Sequence, residues 1–219
     1  MTRPIAVAML VSGEGTTLDA IAELQGGGHL PVHLALVVAD RPHAPAIEKA
    51  RQRGLATVVL PFRGTEPELW AGHLTEELEG RGIELVVLAG FLSILPPSFV
   101  ARWRGRVVNL HPSLLPKYGG PGFYGPRVHR AVLAAHDRET GATVHLVTAH
   151  VDQGPTIAQA RLAVAPDDTP ESLRRRLHPV EVELLATTLR RFADGSLPLP
   201  YPSGPTNPAG RREPAGERR

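Results

Sequence analysis

The chain has 219 residues, a length that suits one α/β domain or at most two small ones. It contains no cysteine, which excludes disulfide bonds, thiolate nucleophiles and cysteine metal ligands and fits a reducing compartment such as the cytoplasm. The apolar runs are too short to form a secretory signal or to span a membrane, so we expect a cytoplasmic protein without membrane partners.

The basic excess of the chain is confined to its C-terminal segment. The sequence has 24 Lys and Arg against 22 Asp and Glu, and four of those arginines and two of those glutamates lie within residues 211–219. Removing them leaves 20 residues of each sign, and this balance argues against nucleic-acid binding. Residues 198–219, rich in Pro, Gly and Arg, are predicted to form a disordered tail behind a single domain over residues 1–197.

Short β-branched apolar runs alternate with amphipathic segments along the first half of the chain. Strands buried on both faces are predicted at residues 5–10, 34–39, 56–60, 84–91 and 107–110. Helices are predicted between them at about residues 17–25, 45–53, 66–79 and 97–103. This alternation implies right-handed crossovers, and therefore an α/β fold with an open, mostly parallel, twisted, Rossmann-like sheet and helices on both faces.

The second half of the chain extends this sheet and ends in a long helix. Residues 142–164 are typical of two strands joined by a polar turn at 152–154, which predicts an antiparallel C-terminal strand addition. Thr169 and Pro170 are typical of a helix start, and this helix is predicted to run to about residue 192. Ligands of open parallel sheets bind beyond the carboxyl ends of the strands, where the polar segments SGEGTTL, GFLSIL and NLHPS are expected.

The segment SGEGTTL, residues 12–18, has the composition of a phosphate-binding turn. Gly13 and Gly15 permit a tight turn, and Thr16 and Thr17 offer hydroxyl groups at a helix start whose free N–H groups favour an anion. The third glycine of a dinucleotide fingerprint and the lysine of a P-loop are both absent. An ordinary strand-to-helix turn remains the alternative.

Asn109 and His111 lie two residues apart at the end of the fifth predicted strand, and therefore on the same side of it. An amide and an imidazole placed in this way can stabilise negative charge that develops on one carbonyl oxygen. Asp152 is predicted to lie beside His111, to raise its pKa and to take part in proton transfer. The alternatives are a histidine that caps a strand end and an aspartate that forms a turn.

Six other histidines show no spacing typical of a metal site, and no metal is expected. We interpret them as surface or loop residues; they are His29, His33, His43, His73, His136 and His150.

Six blocks resemble the phosphoribosylglycinamide formyltransferase family, over about residues 5–195. In chain order they are SGEGTTL, VVLAGFLSIL, NLHPSLLPKY, GATVHLV, VDQGPTIAQ and FADG. The resemblance implies one catalytic domain of the formyltransferase fold over residues 1–197. It also implies transfer of a formyl group from the co-substrate 10-formyltetrahydrofolate to the amine of glycinamide ribonucleotide, a step of purine biosynthesis, without a metal.

The resemblance also implies roles for individual residues. Asn109 and a protonated His111 would polarise the formyl oxygen, and Asp152 would tune His111. Gly15, Thr16 and Thr17 would hold the ribonucleotide phosphate. His178 and Glu181, three residues apart on the long helix, match a substrate-binding pair in which the glutamate meets the glycinamide amine. The folate pocket would be formed by the backbone of residues 148–154 and by Leu92, Ser93, Ile94, Leu95 and Asn109, with Arg63 as a candidate contact.

Three features depart from the family pattern. Glu14 and Thr17 stand where asparagine is common, and Glu14 would repel a phosphate unless it points away. Ser93 replaces a common arginine. The loop at residues 117–129 is longer and rich in glycine, and we expect it to border the substrate site.

Three other functions compete with this hypothesis. Formyltetrahydrofolate deformylase and methionyl-tRNA formyltransferase share the catalytic block, but both are disfavoured by the length of this chain. A non-catalytic nucleotide-binding module would explain residues 12–18 and leave Asn109, His111 and Asp152 as coincidences. The partners expected are small-molecule substrates, with a monomer or a homodimer as the assembly.

Overall fold

The computed structural model describes residues 4–201, which form one sheet flanked by helices. The seven strands are β1 (Ile5–Val11), β2 (Val32–Ala39), β3 (Thr57–Val59), β4 (Leu85–Ala89), β5 (Val107–His111), β6 (Glu139–Leu146) and β7 (Thr156–Ala163). The six helices are α1 (Thr16–Gly26), α2 (Pro45–Gln52), α3 (Pro67–Gly80), α4 (Pro97–Arg102), α5 (Pro126–Ala134) and α6 (Pro170–Ala193).

The strand order in the sheet is β3-β2-β1-β4-β5-β6-β7. Strands β1 to β5 pair in parallel, and β6 and β7 are added antiparallel. The chain leaves β1 toward β2 and returns to the other side of β1 as β4, so the strand order reverses at this point. The mostly parallel sheet with an antiparallel C-terminal addition is therefore confirmed, and the crevice for a ligand is expected at the carboxyl ends of β1, β4 and β5.

Two apolar layers cover the sheet, one on each face. Along β1, Met9 contributes to the layer under α1, α2 and α6, whereas Leu10 contributes to the layer under α3 and α4. This alternation follows from the period of two residues in a strand. Trp70 and Trp103 are each 1% exposed and pack in the second layer.

Helix α5 is absent from the predicted elements because glycines and prolines precede it, and the loop predicted at residues 117–129 overlaps its first turn. The glycine-rich loop ends at Gly125, and Pro126 occupies the first turn of α5, a position that proline tolerates well. Val128 and Val132, four residues apart, are fully buried and anchor the helix. The i,i+4 pair of valines was the signal that could have revealed it.

Part of the predicted tail is packed against the domain. The Tyr201 N–H donates to the Gly105 carbonyl at 2.7 Å, and the Tyr201 ring packs against the first apolar layer. The rest of the predicted tail, from residue 202 onward, lies outside the described residues.

Candidate active site

Asn109, His111 and Asp152 meet at the carboxyl end of β5. His111 Nδ1 lies 3.6 Å from Asp152 Oδ2, and Asn109 Nδ2 donates to Asp152 Oδ1 at 3.4 Å. His111 is 4% exposed. Two strand-end residues and a distant turn thus converge on one point, as the sequence predicted.

The turn that carries Asp152 is fixed by backbone geometry. Asp152 has a positive φ of 56°, and its Oδ2 accepts the Gly120 N–H at 2.9 Å. Gly154 lies so close to β6 that an added Cβ would stand 1.7 Å from the Leu146 carbonyl oxygen. Only glycine fits there, so the turn can hold the carboxylate in one place.

His145 completes this group, and sequence analysis did not select it. Its Nδ1 lies 3.0 Å from the Leu146 carbonyl oxygen, which can only accept, so Nδ1 carries the proton. The Asn109 amide nitrogen can only donate, so Nε2 accepts from Asn109 Nδ2 at 3.1 Å, and it lies 3.5 Å from Asp152 Oδ1. His145 pairs opposite Asn109 in the register of β5 and β6, which spacing alone does not reveal. We call Asn109, His111, His145 and Asp152 the floor network.

The protonation of His111 differs from the expectation. Its Nε2 lies 2.7 Å from the Tyr118 carbonyl oxygen, so Nε2 carries a proton. Burial lowers the pKa of His111, and the nearby His145 lowers it further. The charge of Asp152 and the hydrogen bond to Tyr118 raise the pKa, but they offset only part of this lowering. The prediction of a raised pKa was wrong because desolvation outweighs the carboxylate, and a neutral imidazole is favoured near pH 7.

Asp152 stays ionised beside these rings. Burial acts to raise the pKa of Asp152, but the neighbouring rings of His145 and His111 and the Gly120 N–H together lower it below its ordinary value. The floor network therefore holds one buried negative charge between two imidazoles.

A cleft of about 410 Å³ opens above the floor network. One wall is the segment after β4, with Leu92, Ser93, Ile94 and Leu95, and the facing rim is the glycine-rich loop with Phe123 and Tyr124. Most of these apolar side chains remain accessible, which is typical of a site for a flat, partly apolar ligand. The Ser93 hydroxyl itself donates to the buried carboxylate of Asp40 at 2.5 Å.

The turn at residues 12–18 forms another part of the cleft. Gly15 has a φ of 65°, and an added Cβ would stand 2.5 Å from the Ala46 Cβ, so glycine is required. Thr16 and Thr17 line the cleft at the start of α1. Lys49 Nζ donates to the Glu14 carbonyl at 2.7 Å and lies 3.9 Å from the Glu14 carboxylate, so the acidic side chain has a cation of its own.

Helix α6 brings His178 and Glu181 to the same region. Both line a second cavity of about 500 Å³ that shares Thr16, Arg174 and Glu181 with the cleft. Burial raises the pKa of Glu181 to about 7, although the charge of Arg174 opposes the shift. Burial and Arg174 lower the pKa of His178.

A family model described as formyl transferase matches residues 5–189. The phosphoribosylglycinamide formyltransferase of Escherichia coli (strain K12) is 36% identical over 194 residues, which are 88% of this chain and 89% of that protein. The solved structure of the enzyme of that name from Coxiella burnetii has a TM-score of 0.82 at 37% identity and 89% coverage of both chains. The chain belongs to the phosphoribosylglycinamide formyltransferase family.

The chain is also similar to part of a longer protein and to the fold of an enzyme with another activity. The trifunctional purine biosynthetic protein adenosine-3 of Drosophila melanogaster is 36% identical over 193 residues, and this chain spans 14% of its length. A formyltetrahydrofolate deformylase from Pseudomonas syringae has a TM-score of 0.81 at 23% identity, a likeness of fold alone. Family membership confirms the resemblance, whereas the roles of individual residues stay predictions.

Arg63 lies apart from the other residues that the family resemblance selected. It is exposed between β3 and α3 and is not among the residues that line the cleft. His129 on α5, which was not selected, does line the cleft; it is 3% exposed, and burial together with the charge of Arg174 lowers its pKa to about 4.

The described residues, 4–201, contain neither a metal-binding group nor a membrane-spanning helix. Within that range no three His, Asp or Glu side chains are grouped in a way that could hold a metal ion. Across the same part of the chain, no helix combines the length and the apolar character needed to cross a membrane.

Proposed function

We propose that this chain transfers the formyl group of 10-formyltetrahydrofolate to the amine of glycinamide ribonucleotide, as a cytoplasmic enzyme of purine biosynthesis. The observation that carries the proposal is the convergence of Asn109, His111 and Asp152 below an open cleft. We further propose that residues 1–197 act as one catalytic domain, in a monomer or a homodimer.

The two substrates fit the two parts of the site. The wall formed by residues 92–95 and the aromatic rim at Phe123 and Tyr124 suit the flat ring system of a folate, whose pterin would meet the backbone of residues 148–154. The ribonucleotide would extend along Thr16, Thr17 and α6 toward the second cavity. The amine and the formyl carbon would then meet above the floor network.

The floor network stabilises the charge that develops during transfer. The amine nitrogen attacks the formyl carbon, and the carbonyl oxygen becomes negative. Asn109 Nδ2 and His111 Nε2 donate to this oxygen, and a neutral imidazole is sufficient for such a donor. When the substrate binds, its oxygen takes the place of the Tyr118 carbonyl as the acceptor for His111 Nε2. It also becomes the acceptor for the Asn109 N–H that otherwise makes the long 3.4 Å contact with Asp152.

Asp152 carries the proton that must move. It is ionised and can accept the proton of the attacking amine, directly or through one water molecule. The carbon–nitrogen bond to the folate then breaks, and the same proton passes to the leaving nitrogen. The products are the formylated ribonucleotide and tetrahydrofolate, and no covalent enzyme intermediate is formed.

The test is an assay of tetrahydrofolate release with and without glycinamide ribonucleotide. We expect release to depend on the acceptor and to fall at least about 100-fold in His111→Ala. Equal release with water alone would identify a deformylase and overturn the proposal. Binding of the ribonucleotide without binding of a reduced folate would instead support a nucleotide-binding module.

A further inference from the structure

We infer that Arg174, near the start of α6, is a binding residue for the ribonucleotide phosphate and supplies the positive charge that the turn at residues 12–18 lacks. The inference rests on the proposed function, and it concerns a residue that the family resemblance did not select.

The phosphate turn alone is short of positive charge. A phosphate monoester carries close to two negative charges at neutral pH. Residues 12–18 contain no Lys or Arg, and the lysine beside them, Lys49, is already engaged by the carbonyl and carboxylate of Glu14. Backbone N–H groups and two threonine hydroxyls can orient the anion, but they do not neutralise it.

Arg174 stands where such a charge is needed. It lines both the cleft and the second cavity, and it shares both with Thr16 at the start of α1. Its charge reaches three surrounding groups, since it contributes to the pKa shifts of His129, His178 and Glu181. These groups enclose the space between α1, α5 and α6.

The guanidinium of Arg174 is free to bind. Among residues 4–201 it forms no hydrogen bond or ion pair, whereas Arg176, two residues along the helix, pairs with the Asp168 carboxylate. An unpaired guanidinium can offer two parallel N–H groups to a phosphate without first breaking a contact.

His178 provides an independent sign of a missing ligand. Its Nε2 is buried and has no hydrogen-bond partner among the described residues, while the backbone of Thr16 acts on the same ring and opposes the lowering of its pKa by burial and Arg174. The ring lines the same cavity as Arg174 and Thr16. Buried polar atoms are rarely left unpaired, so this nitrogen points to a polar group that arrives with the substrate. A phosphate oxygen would accept from this nitrogen in the tautomer that carries the proton on Nε2.

Arg175 also lines the second cavity but not the cleft. Arg174 is therefore the residue that can hold a phosphate while the rest of the same ligand extends toward the floor network.

The experiment compares Arg174→Gln with Arg191→Gln in the full chain. Arg191 is exposed on the last turn of the same helix, 17 residues and about 26 Å further along, so its substitution makes the same change of charge away from the site. The acceptors are glycinamide ribonucleotide and the corresponding ribonucleoside without phosphate. Binding of ribose 5-phosphate is measured in parallel by calorimetry.

We expect Arg174→Gln to raise KM for the ribonucleotide and Kd for ribose 5-phosphate about 10- to 100-fold, as for the loss of a charge-assisted hydrogen bond. Activity with the ribonucleoside should be unchanged, and Arg174→Lys should recover part of the loss.

Arg191→Gln should behave as the unmodified chain. Equal losses with both acceptors, or no loss with either, would overturn the inference. If the unmodified chain fails to formylate the ribonucleotide, the proposed function fails instead, and the binding of ribose 5-phosphate still tests Arg174.

Discussion

The floor network and the α6 wall, which we define as Arg174, His178 and Glu181, differ in how their polar groups are satisfied. In the floor network each side chain contacts another member or a backbone group at 2.7–3.6 Å. In the α6 wall, His178 Nε2 has no partner among the described residues, and burial raises the pKa of Glu181 to about 7. Catalytic side chains act best when hydrogen bonds already hold them in position. A binding side chain can instead lack a hydrogen-bond partner until the ligand supplies one.

The largest effects are expected from truncation within the floor network. Asn109→Ala and His111→Ala each remove one donor for the developing negative charge, so kcat should fall about 100- to 1,000-fold. Steady-state kinetics check this, and thermal unfolding shows whether the fold is retained. His73→Ala, at an exposed position on α3, is the control and should keep full turnover. Near-normal turnover in purified His111→Ala would remove the basis for the assignment.

A backbone change should disturb the floor network without touching its side chains. Gly154→Ala places a methyl group against the Leu146 carbonyl, so the turn must shift, and the free energy of unfolding should fall by about 1–3 kcal/mol or more. Turnover should fall with it because Asp152 moves. Gly72→Ala, on α3 with open space around its Cβ position, should be neutral or stabilising by up to about 1 kcal/mol. Equal behaviour of the two variants in urea unfolding would contradict the account.

His129, which lines the same cleft, should make the free energy of unfolding depend on pH. Its pKa is about 4 in the folded chain against 6.5 when unperturbed, so the unfolded chain binds more protons between those values and stability falls as pH decreases. Between pH 7 and pH 5 the loss should be about 2 kcal/mol. His129→Gln should flatten this dependence, and the exposed His73→Gln should not. Identical profiles for the unmodified chain and His129→Gln would show that the imidazole is not desolvated.

Glu181 should act in the opposite direction and more weakly. Its pKa of about 7 lies above the unperturbed 4.5, so the folded chain binds more protons and stability falls as pH increases from about 4.5 to 7. We expect Glu181→Gln to gain about 1 kcal/mol relative to the unmodified chain at pH 8, because two adjoining cavities limit the desolvation. Urea unfolding at pH 5 and pH 8 measures the difference. A gain that is the same at both pH values would refute the shift.

The sequence predicted the sheet well because its strands are short, apolar and β-branched, and these signals are local. It also placed Asn109 and His111 on one side of β5, since alternation along a strand is a local signal too. The meeting of Asp152 with them followed from the expected order of the strands and not from spacing. It missed His145, which depends on the register of β5 and β6, and it predicted the wrong direction for the pKa of His111, which depends on burial. Register and desolvation are properties of the folded chain.

The central claim is that the side chains of the floor network act as one unit on a single reacting carbon. The most direct measurement is a double-mutant cycle on His111→Ala and Asp152→Asn, with formyl transfer followed in single turnovers. Residues that act as a unit are strongly non-additive, so the double variant should be within about tenfold of the slower single variant. Losses that multiply would show two independent contributions and would contradict the account.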